Sequence, residues 1–184
     1  MKAILLAAGV GRRIGGAVEG RPKCLLMLGG RSLAERLVSS LARAGVRETT
    51  IVTGHRAELI EQALGSEHRG MPLRYAFNPD FTKGAILSLW AGRAAFDDDV
   101  LVMDADVLCG DAMIERLVRS PHRNCFLLDG RVEGSGEEQM LMARDGRVYD
   151  IARNKKPGYD LYGESVGFLK VSREDGARLL AALR

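Results

Sequence analysis

Apolar residues along this chain alternate between short unbroken runs and stretches spaced at helical period, and that alternation predicts a fold. Met1 to Ala7 reads as a buried strand, and Leu33 to Ala44, LAERLVSSLARA, puts its apolar residues on one face of a helix that stops at Gly45. Thr49 to Thr53, rich in β-branched residues, reads as a second strand and Ala57 to Leu64 as a second helix. Leu73 to Phe77 gives a third strand, Ala85 to Ala95 a third helix, and Val100 to Met103 a fourth strand that runs into Asp104-Ala105-Asp106. Strands and helices taken in turn favour a parallel sheet with helices on both faces.

After a helix at Asp111 to Arg119 the rhythm changes. Cys125 to Leu128, Gln139 to Ala143, Val148 to Ile151 and Ser165 to Val171 read as strands joined by turn signals such as Asp145-Gly146-Arg147, which predicts antiparallel, hairpin-like pairing. Met140 and Met142 alternate within such a strand and read as packing. Ser172 to Leu183 reads as a closing helix with a serine cap and with Glu174 and Asp175 in its first turn. The expected fold is therefore α/β, a Rossmann-like mixed but mainly parallel sheet flanked by helices, with an antiparallel extension in the second half.

Composition narrows the function classes. A chain of 184 residues with 46% hydrophobic content and 28% charge fits one domain, with residues 1–110 as one half and 111–184 as the other. The net charge of +3 comes from 27 basic and 24 acidic residues that are interspersed, and 5% aromatic content is too sparse for a nucleic-acid stacking platform. A local positive site for an anionic small molecule is left open. Cys24, Cys109 and Cys125 show no C-x-x-C spacing and read as small core residues in a reducing cytosol. The apolar run from Ala3 to Ala8 meets glycine too soon for a leader peptide, and no run is long enough to span a bilayer, so a cytoplasmic protein is expected. Self-association is compatible with all of this.

Two stretches carry candidate chemistry. LLAAGVGRRIGGAVEGRPK, Leu5 to Lys23, follows a strand and holds glycines at 9, 11, 15, 16 and 20 among four cationic side chains. It is not a dinucleotide fingerprint, because the third glycine is one residue late and no helical period follows. It is not a P-loop, because no glycine directly precedes Lys23 and a cysteine follows it. Two readings stand: a mobile surface loop with solvated bases, and a backbone cradle for polyphosphate with Arg13 and Lys23 as its charges. The second stretch, LVMDADVLCGD, ends a strand in two carboxylates one residue apart, so Asp104 and Asp106 share a face. At the carboxyl end of a strand in an open α/β sheet they would meet the same crevice as the loop after the first strand. There they could hold a magnesium ion with phosphate oxygens, or cap a loop.

Together these residues resemble a known family. KAILLAAGVGRRIGG followed by RPKCLLMLGGRSLAERLVSSLARAGV is similar to the signature of the nucleotidyltransferases that activate sugars and alcohol phosphates. Asp104-Ala105-Asp106 looks like that family's metal motif, and NPDFTKGAILSLWAG, Asn78 to Gly92, like the segment lining its base pocket. Within the family the texture is closest to the cytidylyltransferases for phosphocholine, inositol phosphate and small phosphonates. The resemblance implies the nucleotide-diphospho-sugar transferase fold and transfer of a nucleotidyl group from CTP to a small phosphorylated or phosphonate acceptor, with pyrophosphate leaving.

By the same resemblance, Leu6, Ala7, Ala8, Gly9 and Gly11 would line the triphosphate, and Arg13 would hold the β and γ phosphates. Lys23 would bridge α-phosphate and acceptor. Gly84 and Ser88 would sit at the base or ribose, and Asp106, with Asp104 through water, would hold Mg2+. Lys155, Lys156 and Glu164 fall where the family places acceptor contacts, although a lysine pair before a proline also reads as a solvated turn. Trp90, with Tyr159 and Tyr162, could cage a quaternary amine, while the helical pattern around Trp90 reads as core. His55 reads equally as a rim ligand contact and as a neighbour of a helix cap.

The family normally adds a second metal-binding aspartate beyond the acceptor segment, and here the chain reaches Arg184 without a clear equivalent. A shortened C-terminus, a substitute such as Asp150 or Asp160, or a partner chain would each account for this. The competing functions are a nucleotide-binding module without turnover, a sugar-1-phosphate nucleotidyltransferase and a molybdenum-cofactor nucleotidyltransferase. RPKCLL in place of a DKG-like segment argues against the last.

Overall fold

The computed structural model describes residues 1–11, 20–131 and 139–183. They form two compact units, one of Met1–Cys125 with Leu169–Arg184 and one of Phe126–Phe168. The helix after Gly110 and the closing helix both belong to the first unit.

In the first unit, β1 (Lys2–Leu6) leads through a 3-10 turn at Lys23–Leu25 to a short hairpin, β2 (Met27–Leu28) and β3 (Arg31–Ser32). Helix α1 (Leu33–Arg43) follows, then β4 (Thr49–Thr53), α2 (Ala57–Leu64), β5 (Glu67–His68), β6 (Met71–Phe77), α3 (Ala85–Ala91), β7 (Val100–Asp104) and α4 (Asp111–Val118). Parallel pairs run β7 to β1, β1 to β4 and β4 to β6, and β5 adds antiparallel to the edge of β6. The central strands are buried along nearly their whole length, as a parallel sheet covered on both faces requires. One core cluster joins Ile4, Val52, Phe96, Val100 and Val102, with Leu179 and Leu180 packed against it.

Local chemistry accounts for the helix ends. Ser32 Oγ accepts from the Glu35 backbone N–H at 3.1 Å, the first half of a capping box that sets the start of α1. Gly45, at φ 84°, donates to the Ala42 carbonyl and ends that helix. The helix expected to reach Ala95 instead stops at Ala91, and a 3-10 segment runs from Arg93 to Asp97. Between them a Cβ on Gly92 would stand 3.0 Å from Val52 and 3.1 Å from Ile4, so the glycine lets the backbone settle on the sheet.

In the second unit, β8 (Cys125–Asp129), β9 (Met140–Arg144), β10 (Arg147–Ala152) and β11 (Leu161–Val171) form the expected antiparallel extension. Strand β9 lies between β10 and β11, and Met140 and Met142 are buried. Strand β11 begins four residues before the expected Ser165, because Leu161 pairs with Ala143 across the sheet. Its last three residues re-enter the first unit, which ends with α5 (Arg173–Ala182), capped by Ser172 as its sequence predicts. Among the described residues no helix is long and apolar enough to cross a membrane.

Candidate nucleotide site

The register of β1 and β7 builds the floor of a cavity. Leu6 pairs with Asp104 at the carboxyl ends of the two strands, and the Ala105 N–H donates to the Leu6 carbonyl at 3.2 Å. The chain then leaves β1 through Ala7, Ala8 and Gly9, while β7 gives way to Ala105 and Asp106. All of these residues, with Leu6, Gly11, Lys23, Gly84, Ser88 and Asp104, line one cavity of about 430 Å³, within the range of small-ligand sites. The structure thus gathers into one place every described residue that sequence assigned to nucleotide and metal, all within the first unit.

The loop after β1 is held from below. Ala7 donates to the Val52 carbonyl at 2.9 Å, and the Ala8 carbonyl accepts from His55 at 3.2 Å. Gly54 sits so close that a Cβ there would meet Phe81 at 2.6 Å and the Ala8 oxygen at 2.9 Å. His55 therefore serves this loop through its backbone, and its ring lies beside Phe81 rather than on the cavity wall.

Lys23 enters from the turn that Pro22 opens, and its side chain lies across Gly11. A Cβ on Gly11, at φ 72°, would come within 2.9 Å of Lys23 Cγ. Lys23 Nζ stands 3.9 Å from Asp106 Oδ2, an ion pair too long for a hydrogen bond, so both groups keep bonding capacity for a ligand. Among the described residues Asp104 has no ion-pair partner. Although its carboxylate opens to the cavity, the surrounding protein withdraws water from it and Asp106 adds like charge, and the two push its pKa up to about 6. Two crowded carboxylates beside a glycine-rich backbone are a donor set suited to magnesium, which takes one or two carboxylates and completes its shell with phosphate and water. Among the described residues no group of three or more histidine, cysteine, aspartate or glutamate side chains could hold a metal unaided.

The opposite wall comes from the start of α3. Gly84, at φ 128°, leaves open space where a side chain would project, and Ser88 is buried one turn further on. Sequence reasoning missed Phe81, Thr82 and Ala85, which complete this wall, and Cys24, which lies against the floor. Phe81 and Thr82 belong to a segment whose general role was legible, but nothing in its local pattern tells which side chains turn inward. Burial pushes the Cys24 thiol up to about 12, with Asp106 adding to the shift, so it is an inert wall rather than a nucleophile.

Arg13 lies outside the described residues. Lys155, Lys156 and Glu164 belong to the second unit. There Lys156 Nζ is bound to Asp150 Oδ2 at 2.6 Å, and Lys155 Nζ lies 5.8 Å from the Tyr162 ring centroid. Asp150 also accepts from Tyr159 Oη, and Asp160 accepts from the Asp145 N–H, so both acids suggested as substitutes are engaged locally. Tyr159 and Tyr162 meet edge to face, with Arg144 over the first ring. Trp90, in the first unit, is half-buried with the Arg93 guanidinium 4.9 Å above its ring.

Several known proteins resemble this chain. A CMP-5'-(3-aminopropyl)phosphonate synthase of Streptomyces rubellomurinus is 36% identical over 122 residues, covering 66% of this chain and 19% of that protein. A bifunctional IPC transferase and DIPP synthase of Rubrobacter xylanophilus is 33% identical over 183 residues, covering 98% of this chain and 40% of its own length. The chain therefore spans less than half of either relative. Among solved structures, the inositol-1-phosphate CTP transferase of T. maritima superposes with a TM-score of 0.77 at 19% identity, covering 96% of this chain and 72% of the other. The CTP:phosphocholine cytidylyltransferase of Streptococcus pneumoniae gives 0.75 at 21%, with coverage of 99% and 75%. These likenesses establish the nucleotide-diphospho-sugar transferase fold. The profile of the MobA-like NTP transferase domain matches residues 3–155, and the chain belongs to that family.

Proposed function

We propose that the cavity binds a nucleoside triphosphate, CTP by preference, and transfers its nucleotidyl group to an oxygen of a small phosphorylated or phosphonate acceptor. The acceptor oxygen attacks the α-phosphorus in line, the bond from that phosphorus to the bridging oxygen breaks, and pyrophosphate leaves. Such chemistry needs positioning and charge neutralisation rather than a protein nucleophile. The observation that carries the reading is Lys23 laid over Gly11 and 3.9 Å from Asp106, at the carboxyl ends of two adjacent parallel strands. In that place the ammonium is assigned to the α-phosphate and the incoming acceptor, and the backbone from Ala7 to Gly11 to the phosphate chain. Arg13 is assigned to the β and γ phosphates, and Lys155, Lys156 and Glu164 to the acceptor. A magnesium ion held by Asp106 and Asp104 would supply further neutralisation of phosphoryl charge. The free cysteines fit a reducing cytoplasm as the site of action.

Purified protein with magnesium, each of the four ribonucleoside triphosphates and a panel of phosphocholine, aminoethylphosphonate, inositol phosphate and sugar phosphates tests this by pyrophosphate release. Release is expected to be greatest with CTP, and Lys23→Ala and Asp106→Ala each to lower it by about 10²-fold or more. Equal turnover in both variants and the wild type rejects the site assignment. Asp150 and Asp160, the acids suggested as a second metal ligand, are both engaged within the second unit, and this favours a second reading, nucleotide binding without turnover. Triphosphate binding with no pyrophosphate released from any combination would establish that instead.

A further inference from the structure

Behind Ser88 stands a side chain that never reaches the cavity. Asn78 is buried, with 3% of its surface exposed, and is anchored at the end of the sheet by its own N–H to the Thr53 carbonyl at 2.8 Å. Its side-chain oxygen accepts from the Asp80 backbone N–H at 2.9 Å, and its amide nitrogen lies 3.0 Å from Ser88 Oγ. A backbone N–H can only donate, so the first bond fixes which end of the amide is oxygen. The other end is then NH2, and Ser88 can only accept from it. Ser88 Oγ makes no other hydrogen bond among the described residues. With 5% of its surface exposed and a place on the cavity wall, it holds an O–H proton whose remaining outlet is the cavity.

We propose that Asn78 is a positioning residue that makes Ser88 a hydrogen-bond donor into the cavity, so that the nucleotide presents an acceptor atom to it. This rests on the nucleotide reading of the site and adds to it the hydrogen-bonding sense of one contact. A ligand N–H at the same point would share an oxygen already accepting from Asn78 and would leave the buried proton without a partner. A bare ring nitrogen, a carbonyl oxygen or a ribose oxygen satisfies it. Asn78 acts at one remove: it sets the direction of a proton without touching the ligand.

Asn78→Asp tests the relay with little change of shape. The carboxylate still accepts from Asp80, but toward Ser88 it now accepts too, so the hydroxyl proton turns away from the cavity. Affinity for each of the four triphosphates is measured with magnesium in the wild type, Asn78→Asp, Ser88→Ala and the double variant, together with KM and kcat. Each single variant is expected to weaken the best-bound triphosphate about tenfold, the double variant no further, with the loss in KM and kcat held within about twofold. Wild-type affinity in Asn78→Asp or in Ser88→Ala, or losses that multiply in the double variant, would overturn the proposal. Should Asn78→Asp fail to fold, Asn78→Ala, which leaves the hydroxyl free to rotate, replaces it, with a smaller loss than Ser88→Ala expected and unchanged affinity overturning. If no triphosphate binds the wild type, the nucleotide reading itself falls and takes this inference with it. Binding that ignores Asn78 removes the inference alone.

Discussion

Lys23 and Gly11 are in contact along the length of the lysine stem: a Cβ on Gly11 would lie 2.9 Å from Lys23 Cγ and 3.2 Å from Cε. The glycine thus serves as the surface on which the lysine rests, and its own backbone, at φ 72°, is in the left-handed region.

Gly11→Ala is expected to strain that backbone and lift the lysine at once. The loss should be about 10²-fold in kcat/KM, as for other displacements near 1 Å, and should approach that of Lys23→Ala. Steady-state kinetics of the two single variants and the double variant check this, the double variant being expected to lose little more than either alone.

Gly54→Ala is expected to act on stability first. The added carbon meets Phe81 at 2.6 Å and the Ala8 carbonyl at 2.9 Å, both inside contact distance. Relief requires Phe81 to turn or the loop after β1 to rise, at a cost of about 1–3 kcal/mol. Denaturant unfolding measures that cost, and weaker triphosphate binding would report the shift of Ala8.

Asp104 makes the metal-free protein sensitive to pH. Its pKa in the fold is near 6, above the ordinary aspartate value of about 3.9, so the proton binds the folded state more tightly than the unfolded one. The resulting stabilisation is complete below the ordinary value and is lost as pH rises through about 6. Asp104→Asn removes this dependence. Its melting temperature should exceed that of the wild type at pH 7.5, and the gap should narrow at pH 4.5 and close only below about pH 3.9, in thermal melts with a chelator present.

Sequence pattern was sufficient where elements are decided locally. The bounds of β4 and α2 coincide with those read from β-branched and helical spacing, and the Ser172 cap falls where its sequence places it. It was insufficient where partners far along the chain decide. The apolar period of α3 runs on to Ala95 because Ala95 and Phe96 are themselves core residues, and only the fit of Gly92 against Ile4 and Val52 breaks the helix. The early start of β11 comes from pairing with β9, which local pattern does not record.

The same divide runs through the candidate site. Glycines, Lys23 and the aspartate pair are legible because their residue types and spacing carry the chemistry. Asn78 is not, since a buried asparagine that orients a serine ten positions later looks in sequence like any loop asparagine.

The pairing of Leu6 with Asp104 has a consequence for how the site is lost. The phosphate-facing loop and the carboxylates hang from the ends of neighbouring strands whose residues, Ala3 to Leu5 and Val100 to Met103, are almost wholly sealed from water. Parting those two ends would require breaking a ladder in the buried centre of the first unit. Mild heat or denaturant should therefore loosen hinges and edges while the spacing between loop and acids persists. Amide exchange at Ala105, whose N–H closes the ladder onto Leu6, would then report the integrity of the whole unit.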